Sequence, residues 1–339
     1  MSLLNVGARA LLANQVALQT AGHNIANVST PGYSRQNVVL ETVQGQFTGG
    51  GYIGKGVNVA TILRNHSELL TRQAASAGAV SSADTARAIR LNELQDVFSG
   101  GATGLGAAIN DMVNAFSDVV TAPTDLAARS LVLTRIDETA GRMRAASARL
   151  DEIQSTVRYE LTGAVQEINK LAKGIAAVNE QIARAQGNGQ SPNDLLDQRD
   201  TLIRNLNNYV QTSQIVADDG TVGVFVAGSQ PLVLGNVATP LSIGDSSEFA
   251  GSGKVKLFFN NPGVAPIELN EDMLGGGEVA GLLRFHNSDL AEGRNLLGRM
   301  AVAISETMNA QHKLGVTLDG QVGGILFTPV ALPDARPGL

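Results

Sequence analysis

Three groups of residues have the types and spacing that chemistry could use. The first is the run Gly49-Gly50-Gly51-Tyr52-Ile53-Gly54-Lys55. Its glycines match the spacing of a dinucleotide-binding turn, and with Lys55 it nearly spells a phosphate-cradling P-loop. A P-loop needs Ser or Thr after the lysine to hold magnesium, and Gly56 stands there. Both motifs also need a helix opening at the last glycines, so that its N-terminus meets phosphate. Here Val57 to Leu63 alternates like a strand, so the run reads as a hairpin loop. The second group is Asp197, Arg199 and Asp200, which could form an acid–base site. No histidine or metal-ligand cluster stands beside them in the sequence, and capping and surface ion pairing are expected instead. The third group is the four histidines, His23, His66, His286 and His312. They are scattered, and a lone histidine is more often a surface or core residue than a ligand. No catalytic, cofactor-binding or metal-ligating residue is assigned, and the chain is not read as an enzyme.

Composition removes further classes. The 339 residues suffice for two or three domains. There is no cysteine, hence no disulfide, thiolate metal site or thiol nucleophile. A net charge of −6 without a basic block argues against nucleic acid as a partner. The longest uncharged stretches hold Asn, Gln, Gly or Pro, so no membrane span is expected. The N-terminus lacks the basic start and apolar run of a cleavable signal peptide.

With chemistry set aside, the informative stretch is Ser2 to Gln36. Between Ala10 and Ser34 there is no Asp, Glu, Lys or Arg. Leu4, Leu11, Leu18 and Ile25 recur by seven, which predicts a helix that packs lengthwise against another helix. The companion row Gly7, Asn14, Ala21 and Val28 is small or polar, so the helix alone buries little. Amides (Asn5, Gln15, Gln19, Asn24) stand where a soluble helix usually carries charges, and can be tiled against neighbours without ion pairs. Two readings stay open on amphipathicity alone: a helix that completes itself in an assembly, or a helix docked on its own domain. Thr30 before Pro31 ends the helix, and Pro31-Gly32 suits the centre of a type II turn.

The rest of the chain is organised as a frame and an insertion. Strands are expected over 36–43 and 57–63, and helix over 65–98 with Leu70, Ala77, Leu91 and Phe98 on one row. A short helix runs from Leu105 to Val120, closed by Pro123. The longest element follows, its seam counted as Leu133, Ile136, Ala140, Met143, Ser147, Leu150, Ile153, Val157, Leu161, Ala164, Ile168, Leu171, Ile175, Val178, Ile182 and Ala185. The double four-residue step at Ile153, Val157 and Leu161 is a stutter. Its length is about 80 Å at ~1.5 Å per residue, which suits a rod. Gly187-Asn188-Gly189 ends it. Ser191 is expected to cap the next helix ahead of Pro192, with Leu195, Leu196, Leu202, Ile203, Leu206 and Tyr209 buried. From Gln211 the composition turns β-rich, with strands over 215–217, 222–226, 232–234, 255–259 and 264–269. Helix returns after Gly277, with Leu283, Leu290, Leu297 and Ile304 repeating by seven. The tail, 314–339, is rich in Gly and Pro.

The run His23-Asn24-Ile25-Ala26-Asn27-Val28-Ser29-Thr30-Pro31-Gly32-Tyr33 resembles the N-terminal signature of the bacterial flagellar axial family of rod, hook and hook-associated proteins. It departs from that pattern at His23 and Ser29, where the family carries Asn. Ser34-Arg35-Gln36, Asn193 to Asp200, Gly281 to Phe285, Arg294 to Gly298 and Asn309 to His312 resemble its hook-associated members. The resemblance implies a mainly α fold with a β-rich insertion, an elongated coiled-coil-like helical bundle of axial-protein type. It divides the chain into an inner-tube helix (1–33), a β-hairpin linker (34–64), a long-helix rod domain (65–210), a β-rich insertion (211–276), a return helix (277–313) and the tail (314–339). It implies a structural subunit joining hook and filament in the axial tube, outside the cell, exported by the flagellar type III apparatus without a cleaved signal. Its partners would be copies of itself in a helical ring, the hook protein and the next hook-associated protein. Leu4, Leu11, Leu18 and Ile25, with Asn24, Asn27, Pro31, Gly32 and Tyr33, would form the assembly interface. A distal rod or hook subunit is the alternative within the family; a nucleotide-binding enzyme using Gly49 to Lys55 is the alternative outside it. The family also ends in a second amphipathic helix paired with the first. The tail shows no such helix, so the N-terminal helix is expected to find no mate in this chain.

Overall fold

The long apolar seam sets the frame. In the computed structural model, which describes residues 3–47, 49–186, 191–247 and 253–329, the helices are α1 (Leu3–Ala26), α2 (Glu68–Val97), α3 (Leu105–Thr121), α4 (Leu126–Gln186), α5 (Asn193–Tyr209), α6 (Glu278–Arg284) and α7 (Leu290–Lys313). The fold is mainly α with a β-rich insertion, as expected. The chain divides into two compact units, one of Met1–Thr85 with Leu161–Gly281 and one of Ala86–Glu160 with Leu282–Leu339. The expected helix end at Gly187 to Gly189 lies outside the described residues.

In the first unit α4 buries Leu161, Ala164, Ile168, Ile175, Val178 and Ile182 at the expected steps. Each such Leu, Ile or Val side chain withdrawn from water contributes about 1.5–3 kcal/mol. Two asparagines break this apolar seam and turn it into an anchor for the insertion. Asn169 gives Nδ2 to the Leu241 carbonyl (2.9 Å) and takes the Leu241 N–H on Oδ1 (2.8 Å). Asn179 does the same to Val222 and adds the Gly235 carbonyl. A side-chain amide thus pairs with a strand end as another peptide would. The insertion itself is two antiparallel sheets. One has the order β5 (Ser213–Val216), β6 (Val222–Val226), β7 (Gln230–Leu234), β8 (Val237–Ala238). The other is β9 (Leu241–Asp245) beside β10 (Val255–Phe259) beside β11 (Ile267–Glu268). Val255, Leu257 and Phe259 are buried at the period of two that a one-sided strand requires.

Strands β8 and β9 were not expected. Gly244 on β9 lies under the Phe258 ring, where a Cβ would come within 2.9 Å of it. The residue that permits the packing is one that lowers strand propensity. The 264–269 strand shrinks to two residues, after a turn in which Gly263 has φ +81°.

Two helical rows differ from expectation. Leu70, Ala77 and Leu91 are exposed and Phe98 half-buried; the buried row of α2 is Ala75, Ala79 and Ala83. In the first unit this row meets backbone directly. Gly277 donates its N–H to the Ala79 carbonyl (2.7 Å), and any side chain on Gly281 would overlap the Ala83 carbonyl oxygen. Close approach of two backbones demands small residues, so large ones are excluded from that face. On α5, Ile203 and Leu206 are buried, Leu195, Leu196, Leu202 and Tyr209 only half-buried. Ser191 does not cap the helix, because its hydroxyl bonds Asn193 Oδ1 instead (2.9 Å).

In the second unit the core gathers Met112 and Ala115 of α3, Val132 and Ile136 of α4, Ile304 and Met308 of α7, and Leu326 with Phe327. Here the seam of α4 keeps Ile136 and Leu150 of the expected row but shifts by one residue at three other positions. Val132, Thr139 and Ala146 are inside, while Leu133 and Ser147 face solvent and Ala140 is half-buried. Thr139 shares its one hydroxyl proton between the Arg135 carbonyl (2.8 Å) and the Ala108 carbonyl (3.1 Å), so a polar residue fills a core position with its donor satisfied. The return helix is not continuous. Phe285–Asp289 forms a π-turn between α6 and α7, with Asp289 taking a two-pronged contact from Arg87. Residues 314–329 fold back on α7, where Asn309 receives the Leu326 and Phe327 N–H groups on Oδ1 and donates to the Phe327 carbonyl.

Candidate functional site

α1 buries very little. Ala13 is 3% exposed and Thr20 7%, with Val6, Val16 and Asn24 half-buried. This small inner row lies on a two-stranded ribbon, β1 (Gln36–Thr42) paired antiparallel with β4 (Val57–Arg64), in a register that sets Gln36 opposite Arg64. Gly56, at φ +90°, allows Val6 to approach; a Cβ there would be 3.3 Å from Val6 Cγ1. The expectation that α1 has no mate within the chain is therefore corrected: it seats on the ribbon through its small residues. The four residues of the sevenfold row point the other way, Leu4 at 82% exposure, Leu11 at 73%, Leu18 and Ile25 at 75%.

The Pro31-Gly32 turn closes as expected. Tyr33 donates its N–H to the Thr30 carbonyl (3.2 Å), and Gly32 has φ +83°, which the third position of a type II turn requires. A side chain on Gly32 would also collide with Thr201 of α5. Asn27 and Asn24 divide the work around this turn. Asn27 Nδ2 returns to the His23 carbonyl (3.1 Å) and its Oδ1 takes the Thr30 hydroxyl (3.2 Å), which finishes the helix locally. Asn24 reaches farther. Its Oδ1 accepts the Tyr33 hydroxyl (2.7 Å) and the Gln36 N–H (2.8 Å), and its Nδ2 donates to the Gln36 carbonyl (2.9 Å). Asn24 was expected among the outward amides; it turns inward, where its amide satisfies both Gln36 peptide groups. Burial, followed by the nearby Asp194 and Asp197 carboxylates, pushes the Tyr33 phenol above its usual value. It stays a donor at neutral pH.

The turn and ribbon rest on the first two turns of α5. Asp197 and Asp200, three apart, share one helix face. Arg64 Nη1 lies between them, 2.7 Å from Asp197 Oδ1 and 2.8 Å from Asp200 Oδ2. Asp197 Oδ2 accepts the Ser34 N–H (2.9 Å), Asp194 Oδ1 accepts Gln36 Nε2 (3.2 Å), and Asn193 Nδ2 donates to the Ile62 carbonyl (2.8 Å). His66 stands 3.5 Å from Asp200, and His23 3.6 Å from Asp194. A cleft of about 380 Å³ between turn and helix is lined by His23, Asn27, Tyr33, Asp194 and Thr201. Arg199 points away and donates to the Gly220 carbonyl (2.7 Å); burial, its largest influence, pushes its guanidinium down. The expected surface pairing of these charges is thus corrected. Asp197 and Arg199 are buried, and their partners come from distant segments. With both carboxylates held by one guanidinium, the cluster ties the ribbon to α5.

The Gly49 to Lys55 run is placed in a hairpin whose strands β2 (Gln46–Phe47) and β3 (Tyr52–Ile53) pair, and Lys55 leads into β4. Among the described residues the run passes into strand β4, not into a helix of its own. Sequence reasoning missed Arg64, Gln36 and Asn193 as members of the cluster. The one available signal was a charged residue closing the alternating run Val57 to Leu63.

Comparison with known proteins adds the following. The family model described as flagellar hook-associated protein FlgK helical domain matches residues 91–327, and that of the flagella basal body rod protein matches residues 4–33. Flagellar hook-associated protein 1 of Escherichia coli (strain K12) is 32% identical over 99% of this chain and 62% of its own length. The protein of that name from Bacillus subtilis (strain 168) is 26% identical over 96% of this chain and 69% of its own length. The solved flagellar hook junction protein FlgK from Burkholderia pseudomallei superposes with a TM-score of 0.67 at 28% identity, over 76% of this chain and 46% of that one. The chain thus spans about three fifths of the length of its first curated relatives.

Proposed function

Since this chain belongs to the flagellar hook-associated protein FlgK family, we propose that it is a structural subunit of the external flagellum that joins hook to filament, and not an enzyme. One observation carries the mechanism. α1 is anchored by its small inner row and by the turn, while Leu4, Leu11, Leu18 and Ile25 stand in water. An outward heptad row of this kind is half of a helix–helix interface. Copies of this chain in a helical ring would supply the other half, and the hook protein and the next hook-associated protein would bound that ring. Many repeated lateral contacts, each weak, would provide the binding energy. The Asn24, Asn27, Pro31, Gly32 and Tyr33 turn links this inner layer to the remainder of the unit. Export through the flagellar type III apparatus completes the reading.

The rival axial reading, a distal rod or hook subunit, draws on the N-terminal segment alone, where the rod-protein match is confined to residues 4–33. The test is replacement of Leu11 and Leu18 by Asp in the full-length protein. Filaments should then fail to attach and swimming should be lost, while the protein is still made and folded. Normal swimming would overturn the proposal.

A further inference from the structure

Three features of the molecule lie outside the reading above. An apolar cleft of about 750 Å³ lies among α3, α4 and the residues after α7, but nothing shows what would cover it. The exposed Phe47–Tyr52 pair at the β2–β3 hairpin tip names no partner. The cluster on α5 carries an inference, which rests on the assembly role of α1 given above.

The apolar contacts of α1 are too few to fix its direction, since Ala13 and Thr20 are its only fully buried side chains among the described residues. The ribbon beneath it is no stiffer support. A two-stranded ribbon is marginal by itself, and along β1 only Gln36 is buried. What remains is the polar cluster within residues 193–200. Its contacts are directional, short and convergent: Arg64 to two carboxylates, Ser34 to Asp197, Ile62 to Asn193, Gln36 to Asp194. Arg64 is central because Asp197 and Asp200 would repel each other without it. The charged and titratable groups around the cluster are Asp194, Asp197, Arg199 and Asp200 on α5, His66 after β4, Glu68 at the start of α2, Tyr33 in the turn and His23 on α1. We propose that Arg64, held between Asp197 and Asp200, is a positioning residue: it sets the angle at which α1 presents its outward row for assembly. Broken, the cluster leaves α1 helical on the ribbon but lets ribbon and helix swing together on α5.

The full chain is suited to the test because it has no cysteine. Ala17→Cys on α1 and Asn205→Cys on α5, both exposed, take spin labels for a dipolar distance measurement. The parent should give one narrow distance. Arg64→Met should broaden it about twofold, because a buried pair that loses one partner leaves an uncompensated charge; Arg64→Lys, which keeps the cation, should stay narrow. An unchanged distance in Arg64→Met overturns the proposal, as does a lowered melting temperature without broadening, which would make Arg64 merely stabilising. Should Arg64→Met lose its helical signal, Asp197→Asn is read by the same criteria. The outcome is independent of the swimming assay. A narrow distance in Arg64→Met with Leu11→Asp/Leu18→Asp non-motile removes the positioning role alone. Broadening with normal swimming removes the assembly role alone.

Discussion

Two helices in this chain carry apolar rows of similar quality, and they meet opposite fates. On α4, Ile168, Ile175 and Ile182 recur by seven and each is 0% exposed. On α1, Leu4, Leu11, Leu18 and Ile25 recur by seven and stand outside. Periodicity identifies a face that wants a partner; it does not say whether the partner belongs to the same chain. The opposite face says more. α4 offers the insertion Asn169 and Asn179 beside its isoleucines, so both kinds of contact stay within the unit. α1 offers its own unit a row of mostly small or polar residues, Ala13, Thr20 and Asn24 with Val6 and Val16 half-buried, and leaves Leu4, Leu11, Leu18 and Ile25 exposed.

The largest effect should come from treating the α4 row as though it were the α1 row. Ile168→Asp with Ile175→Asp places two carboxylates in a sealed seam, at a cost of more than about 4 kcal/mol each. Thermal unfolding followed by circular dichroism should show loss of the cooperative transition in the first unit. A melting temperature close to the parent's would mean the seam is not a core. Next in size is Gly281→Val, where a side chain would overlap the Ala83 carbonyl. Overpacking against backbone should cost about 3 kcal/mol, read as a shift in denaturant midpoint at unchanged slope.

How much of this was legible follows from where the signal resides. The α4 seam from Leu150 to Ile182 could be read because large aliphatic residues mark it. From Val132 to Ala146 the inside positions are Val132, Ile136, Thr139 and Ala146; Ile136 was counted, but Thr139 and Ala146 give no apolar signal and Leu133 drew the count away from Val132. The α2 row failed for the same reason, since Ala75, Ala79 and Ala83 advertise nothing. At the candidate site, the turn at Pro31-Gly32 was legible from local chemistry, and the outward row of α1 from its period. The pairing of Arg64 with Asp197 was not, because the two are 133 residues apart and a single sequence carries no trace of such a contact. Read locally, Asp197 and Asp200 suggested helix capping and surface ion pairing. Strand β9 was hidden by Gly244, the residue that makes its packing possible.

A third substitution sharpens the claim that small residues form the true seat of α1. Ala13→Leu adds bulk where the helix meets the ribbon, and should cost about 1–3 kcal/mol of local stability. The loss should appear in hydrogen exchange of the α1 amides, with those of α4 unchanged, because the helix is held by few contacts and can open by itself. Equal protection in parent and variant would mean that Ala13 is not packed as described.

The smallest effect on stability should come from the substitutions that matter most for assembly. In this chain Leu11→Asp with Leu18→Asp removes side chains that are 73% and 75% exposed already, so little buried area is lost and no cavity forms. The change in helix propensity and the unmatched charges amount to about 1 kcal/mol or less in total. The melting curve should therefore overlay the parent's within a few degrees, on the order expected for so small a change. What should change is solution behaviour: sedimentation at rising concentration should show weaker self-association than the parent, because the apolar stripe has been interrupted. A clear fall in melting temperature would place Leu11 or Leu18 inside a contact of the folded chain, and α1 would then differ from α4 only in degree.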